Sequence, residues 1–173
     1  WILAFIAGEV NVVGLLGFGH ETITHLTGNT SRLSEALANL NLAAALHVTT
    51  LMAAFVLGTI ISGLIIQDTA LQLDRRYSVI LLLESLLLFI SIPLLKNRSI
   101  HGLYTAACAI GLQNAMASTY SGAVIRTTHL SGMFTDLGVS LGHAMRGLPV
   151  NKRRLWLCFA VISGFLAGGI AGA

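Results

Sequence analysis

Residues 40–66 read LNLAAALHVTTLMAAFVLGTIISGLII and carry no Asp, Glu, Lys or Arg. A helix needs about 20 apolar residues to cross the roughly 30 Å hydrocarbon core of a bilayer, because lipid offers no hydrogen-bond partner to a free backbone amide. Residues 155–173 form a second uncharged run. Both runs are long enough to span a membrane, and they indicate a membrane protein.

The composition of the whole chain supports the same class. Its 173 residues are 55% hydrophobic and 10% charged, and the mean hydropathy is +0.81. Soluble domains carry roughly a quarter charged residues. We therefore predict an all-α, polytopic transmembrane helical bundle that forms a single domain over residues 1–173.

Hydropathy predicts about five clear spans and two more polar helices that are broken or re-entrant. The spans are placed at residues 1–18, 43–66, 78–95, 101–119 and 153–173. The polar helices are placed at residues 27–40 and 129–146. Each begins with a version of one phrase, which is THLTGNTSRL at 24–33 and THLSGMFTDL at 128–137.

This phrase belongs to a longer internal repeat. Asn11 and Asn114 precede the two copies by nearly the same distance, and small residues recur at every fourth position after each copy, namely Ala54, Gly58 and Ser62, then Gly164, Gly168 and Gly172. We predict repeat one at about 1–66, a linking helix at about 78–95 and repeat two at about 101–173. Such duplication is typical of secondary transporters, which bind substrate where two repeats meet.

The same stretches carry a resemblance to a known family. AGEVNVVGLLGFG at 7–19, THLTGNT at 24–30 and GLQNAMASTYSGAVIRTTHLSGMFTDLGVSLG at 111–142 together resemble the YoaK family of bacterial integral membrane proteins, a domain of unknown function. The resemblance implies a multi-pass protein of the bacterial inner (cytoplasmic) membrane. It implies no particular reaction.

The repeated phrase has two interpretations. Gly28 and Gly132 permit tight backbone geometry, and the neighbouring side-chain oxygens of Thr27, Asn29, Thr30, Ser131 and Thr135 are predicted to cap the helix starts. A helix that begins inside the membrane presents free amides and a partial positive charge, which bind anionic groups in several transporters. The alternative is a conformational device in which small residues let helices approach and hydroxyl groups satisfy the backbone.

On the first interpretation we predict a solute site between the repeats. Its residues are Glu9, Asn11, His25, Thr27, Gly28, Asn29, Gln113, Asn114, Arg126, His129, Ser131 and Gly132. The two histidines match in position and offer a hydrogen bond or a proton-dependent charge. For Arg126, binding an anion and anchoring a loop at the lipid headgroups both stay open.

Two carboxylates within apolar helices are candidates for proton coupling, Glu9 and Glu84. An ionised side chain near the bilayer centre costs at least roughly 2.5 to 3.5 kcal/mol, so it needs a partner or water. We expect Glu9 to face the interior of the bundle, with Arg126 or His129 as its partner. Glu84 is equally well explained as a structural group that is protonated or paired.

No motif indicates an enzyme, a metal or a cofactor. In HETITH at 20–25, His20 and His25 are five residues apart, whereas the helical zinc motif needs a spacing of four. Cys108 and Cys158 each stand alone in an apolar helix and are expected to pack as small hydrophobes. We predict no catalytic residues, no metal ligands and no cofactor.

The basic residues lie in loops that flank the hydrophobic helices, so the net charge of +3 does not indicate a nucleic-acid partner. The densest cluster, RGLPVNKRR at 146–154, is predicted to be cytoplasmic. If the polar helices cross the membrane, Lys96 shares that side. If they re-enter, Arg75 shares it instead, and the two repeats are inverted.

The predicted function is a membrane transporter or channel for a small polar or anionic solute. The alternative is a non-transporting membrane subunit that binds a lipid or a protein partner. The expected partners are the lipid bilayer and the solute. The glycine ladders indicate either packing between the two repeats or a homo-oligomer.

Overall fold

The computed structural model describes residues 1–18, 21–66, 74–122 and 125–173. Its helices in chain order are α1 (Ile2–Gly17), α2 (Leu26–Ala38), α3 (Leu42–Ile65), α4 (Arg75–Lys96), α5 (Ile100–Tyr120), α6 (Leu130–Met145) and α7 (Lys152–Ala171). These described residues contain no β-strand. The prediction of an all-α bundle is confirmed.

Three of the described helices, α3, α4 and α7, are long and apolar enough to cross a membrane. The predicted span at the start of the chain is the shorter apolar helix α1. The predicted span at 101–119 is α5, whose Gln113 and Asn114 are buried inside the bundle. Because α5 packs between α3 and α4, its polar residues do not have to face lipid.

Asparagine and aspartate side chains begin three of the helices. Asn41 accepts a hydrogen bond from the Ala44 amide at 3.1 Å, and Asn151 accepts one from the Arg154 amide at 3.2 Å. At the start of α4, Asp74 accepts a hydrogen bond from the amide of the next residue, Arg75, at 2.6 Å. Such side chains satisfy amides that have no partner within the helix.

The starts of α2 and α6 lack side-chain caps, so the prediction that their hydroxyl groups act as caps is wrong. His25 stands directly before α2 and His129 directly before α6, and neither side chain forms a capping hydrogen bond. The hydroxyl groups of Thr30 and Thr135 instead donate to the carbonyls of Leu26 and Ser131, at 2.9 Å in each case. This back-bonding leaves the first amides of both helices free of capping side chains.

The first helix packs against the last one, and the two run in the same direction. A Cβ atom on Gly168 would collide with the Phe5 carbonyl, and one on Gly172 would lie 3.0 Å from the Glu9 carbonyl oxygen. The contacts therefore advance together along α1 and α7. Only glycine at position 168 allows the two backbones to approach this closely.

A second parallel pair consists of α3 and α5. His47 Nδ1 lies 2.7 Å from the Tyr104 hydroxyl oxygen. Further along both helices, a Cβ on Gly58 would collide with the Cys108 carbonyl and would lie 2.9 Å from the Leu112 nitrogen. Gly58 therefore allows the backbones of α3 and α5 to approach closely, as Gly168 does for α1 and α7.

α4 and α5 form an antiparallel hairpin. The rings of Tyr77 and Tyr120 meet edge to face with centroids 5.9 Å apart. At the other end, Leu95 lies against Gly102. The start of α4 therefore lies beside the end of α5.

α1 also runs antiparallel to α5. The Gln113 side chain, near the end of α5, donates to the Leu3 carbonyl at 2.8 Å. Val10, further along α1, packs against the buried cluster that contains Leu103 and Ala106 from the first half of α5. Consequently α3 and α5 point one way, while α1, α4 and α7 point the other way.

The chain re-enters the bundle between α1 and α3 instead of crossing it. After α1, residues 21–25 return along that helix, because Gly14 lies against Ile23 and Thr24 bonds to Asn11. α2 begins at this depth, and its 13 residues extend about 20 Å, which is less than a membrane span. Since α1 and α3 are antiparallel, α2 adds no net crossing.

The chain follows the same route after α5. Residues 125–128 return to Asn114, to which Thr127 and Thr128 bond. α6 then begins inside the bundle, and its 16 residues reach about 24 Å. Both polar helices are therefore re-entrant.

Candidate functional site

Two asparagines hold the returning segments in place. The Asn11 side-chain oxygen accepts bonds from the Thr24 amide at 3.1 Å and the Thr24 hydroxyl at 2.9 Å. The Asn114 oxygen accepts a bond from the Thr127 hydroxyl at 3.0 Å, and its amide group donates to the Thr128 hydroxyl at 2.7 Å. Both carboxamides fix the depth at which α2 and α6 begin.

Each histidine before a re-entrant helix lies over a glycine three residues later. A Cβ on Gly28 would stand 2.6 Å from His25 Nδ1, and one on Gly132 would stand 2.6 Å from His129 Cε1. The described glycines with positive φ are Gly122 and Gly147. The glycines of the phrase therefore make room for a ring, and the prediction that they serve tight backbone geometry is wrong.

A cavity of about 630 Å³ lies between the starts of α2 and α6, and we call it the inner cavity. Seven predicted site residues line it: Asn11, His25, Thr27, Asn114, Arg126, His129 and Ser131. Phe55 and Phe165 contribute apolar walls to the inner cavity, and Thr59 and Ser118 contribute hydroxyl groups. Residues from both copies of the phrase therefore meet at one cavity.

The inner cavity combines apolar walls with groups that favour negative charge. Two helix starts without side-chain caps face it, and the amides there carry a partial positive charge. Arg126 is exposed, and its guanidinium group forms no hydrogen bond or ion pair with the described residues. A small solute with an anionic or strongly polar group fits this chemistry.

Other predicted site residues have structural partners instead. Gln113, with 0% exposure, donates to the Leu3 carbonyl and to the Thr127 hydroxyl. Asn29 is also fully buried and exchanges hydrogen bonds with Thr22 at 2.9 and 3.1 Å. Both residues form hydrogen bonds to neighbouring segments, and neither lines the inner cavity.

The structure separates the two predicted proton-coupling residues from the inner cavity. Glu9 is exposed on α1 and lies against Gly172, so the prediction that it faces the interior is wrong. Glu84, on α4, is 3% exposed. Neither of its carboxyl oxygens has a hydrogen-bond partner among the described residues.

A second cavity of about 990 Å³ opens between α6 and α7, and we call it the outer vestibule. Its polar lining residues are Ser121, Arg126, His129, Ser131, Thr135, Asp136, Asn151, Arg153 and Arg154, and Gly132 also borders it. Asp136 and Arg154 form a two-point ion pair, with N–O distances of 2.8 and 3.2 Å. The two cavities share Arg126, His129 and Ser131.

A polar cluster missed by the sequence analysis lies between α2, α3 and α5. Arg32 contacts the buried Glu21 carboxylate at 2.9 Å, and His47 Nε2 lies 3.8 Å from the same carboxylate. His47 also contacts Tyr104. In the sequence, Glu21 is notable only as part of the HETITH motif. Its partners Arg32 and His47 lie too far along the chain for a local sequence pattern to predict the contacts.

Metal-binding groups do not gather in the described residues: no set of three His, Cys, Asp or Glu side chains there is placed to hold an ion. His20 lies outside the described residues. Cys108 and Cys158 are buried in different helices.

Comparison with known protein families gives a match over residues 1–173 to the family described as protein of unknown function (DUF1275). No curated protein matches the chain, and no solved structure matches it. YoaK is the known name of this domain, so the resemblance seen in the sequence is confirmed. The re-entrant phrases, the asparagines that hold them and the cavity between them are thus features of a chain that belongs to the DUF1275, or YoaK, family.

Proposed function

We propose that this chain is a membrane transporter or channel that binds a small polar or anionic solute in the inner cavity. The observation that carries the proposal is the meeting of both phrases, with two uncapped helix starts and Arg126, at one cavity. Helix starts of this kind bind anionic groups in transporters with broken helices. The volume of about 630 Å³ lies within the usual range of small-molecule sites.

The helix contacts support an internal duplication with inverted repeats at about 1–66 and 101–173. Gly8 of α1 lies against the Phe165 carbonyl, as Gly111 of α5 lies against the Phe55 carbonyl. α1 pairs with α7 as α5 pairs with α3. Because α1 and α5 are antiparallel, the proposed repeats have opposite directions, and α4 links them.

The distribution of basic residues supports an orientation in the membrane. We call the end where α3 and α5 finish and α4 and α7 begin the basic end. It carries Arg75, Arg76, Arg146, Lys152, Arg153 and Arg154, while the opposite end carries Arg32, Lys96 and Arg98. By the positive-inside rule the basic end is cytoplasmic, and in a bacterium the membrane is the inner one.

The test is thermal stabilisation of the purified protein by a panel of anions, amino acids, sugars and nucleobases. A solute present at about 100 times its Kd adds about 2.7 kcal/mol to the stability of the folded state. We expect an anionic or polar solute to raise Tm. Arg126→Gln and His129→Ala are expected to lose the rise, whereas Lys96→Gln, exposed at the opposite end, is expected to keep it.

The second candidate is a non-transporting subunit that binds a lipid or a protein partner. The exposed carboxylate of Glu9 on α1 favours it, because an ionised group that faces lipid costs at least about 2.5 kcal/mol and so calls for a covering partner. Stabilisation by an anionic lipid, with none from the soluble panel and no solute uptake by proteoliposomes, would favour this candidate.

A further inference from the structure

We propose that the outer vestibule is an anion-attracting entrance through which a negatively charged solute reaches the inner cavity from the basic end. The inference rests on the proposed function, and it narrows the solute from polar or anionic to anionic. It also assigns a role to Arg153, Arg154 and Asp136, which lie outside the inner cavity.

The two cavities adjoin each other at the start of α6. Arg126, His129 and Ser131 line both of them. A solute that leaves the vestibule therefore passes these three side chains before it meets the inner cavity. Arg126 stands at this junction, where a guanidinium group can form two hydrogen bonds to one carboxylate or phosphate group.

The vestibule carries an excess of positive charge. Asp136 is the one acidic residue among its described lining residues, and Arg154 engages both of its oxygens. Arg126 and Arg153 form no ion pair with an acidic side chain of the described residues. Cationic side chains in a cleft with low-dielectric walls raise the local concentration of anions.

The equivalent positions at the first copy of the phrase, near α2, do not carry the same excess of positive charge. Thr22 stands three residues before His25, where Arg126 stands before His129, and Thr22 is bonded to the buried Asn29. Arg32, at the position that matches Asp136, binds the buried carboxylate of Glu21. The charge excess therefore belongs to the basic end and gives the bundle a preferred side for anion entry.

The experiment measures charge preference at a cysteine in the inner cavity and needs no knowledge of the solute. Ser118 lines the inner cavity but not the vestibule, so Ser118→Cys is placed in the full chain in phosphatidylcholine nanodiscs. An anionic sulfonate and a cationic trimethylammonium methanethiosulfonate reagent are applied, and each rate is divided by the rate with a free thiol. The chain with Cys108 and Cys158 alone, both buried, gives the background.

We expect the anionic reagent to react about tenfold faster than the cationic one after this correction. Arg153→Gln should lower that ratio about threefold, and Asp136→Asn, which releases Arg154, should raise it by a similar factor. Lys152→Gln removes the same charge one residue away from the lining and should leave the ratio within about twofold of its starting value. A ratio of one or less, or an equal response to Arg153→Gln and Lys152→Gln, would overturn the proposal.

Three further outcomes distinguish a lipid headgroup from a soluble anion, and failure of the entrance from failure of the proposed function. If phosphatidylglycerol nanodiscs abolish the preference, a lipid headgroup occupies the vestibule and the entrance for a soluble anion is refuted. If the preference holds but no solute stabilises the chain and proteoliposomes take up none, the vestibule stands and the proposed function fails. If a solute stabilises the chain without any charge preference at position 118, the entrance alone is refuted.

Discussion

His25 and His129 each stand directly before a re-entrant helix, and their rings fill the space above Gly28 and Gly132. A residue pattern of His, two others and Gly is therefore a packing unit. It brings an imidazole to the start of a helix, beside the free amides and the inner cavity. The ring position depends on the missing Cβ, so the glycine is a positioning residue for the histidine.

This dependence predicts a coupling between Gly132 and His129. Gly132→Ala should cost about 1 kcal/mol of stability in a detergent unfolding titration, because its Cβ displaces the ring. In a His129→Ala background the same change should cost nothing within about 0.5 kcal/mol. Gly138→Ala, on the same helix with no atom within 4 Å of the added Cβ, is the matched control. An equal cost in both backgrounds would refute the coupling.

At the scale of the elements, α3 and α5 approach so closely that backbone meets backbone. Gly58 faces the Cys108 carbonyl, and a carbonyl group fixed in a helix cannot rotate away as a side chain can. The glycine ladders predicted from sequence therefore mark real contact faces. Their partners are helices of the same chain, which agrees with packing between the two proposed repeats.

Gly58→Ala is accordingly expected to destabilise the chain by about 3 kcal/mol, at the upper end of what overpacking costs. Gly63→Ala is its control, because Gly63 lies on the same helix and an added Cβ there meets no atom within 4 Å. We expect the control to stay within about 0.5 kcal/mol of the original chain. Unfolding of purified protein in mixed micelles measures both. Equal behaviour of the two variants would show that α3 and α5 do not pack as described.

Sequence reasoning located the elements better than it located their contacts. Hydropathy and helix-starting residues are local, so the polar helices were placed within about two residues of α2 and α6. Asn11 and Asn114 were recognised by their matching positions, but their bonds to Thr24 and Thr128 depend on the return of the chain. Glu9 was misplaced because a hydrophobic helix of low amphipathicity does not reveal which face is covered.

At the scale of the whole molecule, re-entry of both polar helices decides which loops share a side. α4 and α7 run in the same direction, so the start of α4 and the start of α7 lie at the same end of the bundle. The sequence left the choice between Arg75 and Lys96 open. The contacts of Asn11 and Asn114 resolve it in favour of Arg75, because they show each segment turning back.

Cysteine labelling in bacterial spheroplasts tests this arrangement. Arg75→Cys and Lys152→Cys should react with a membrane-impermeant maleimide only after permeabilisation, whereas Asn97→Cys should react before it. All three positions are exposed, so accessibility reports the side of the membrane. Labelling of positions 75 and 152 from opposite sides would contradict the re-entrant topology.

The pairing of α1 with α7 has a consequence for biosynthesis. Ribosomes deliver the chain from its N-terminal side, so α1 is synthesised well before the glycines of α7 that pack against it. In that interval the backbone of Gly8 and the backbone carbonyl of Glu9 lack the α7 surface against which they later lie. The contact between α1 and α7 therefore forms only after α7 has been synthesised, and assembly of the bundle is a late event in its synthesis.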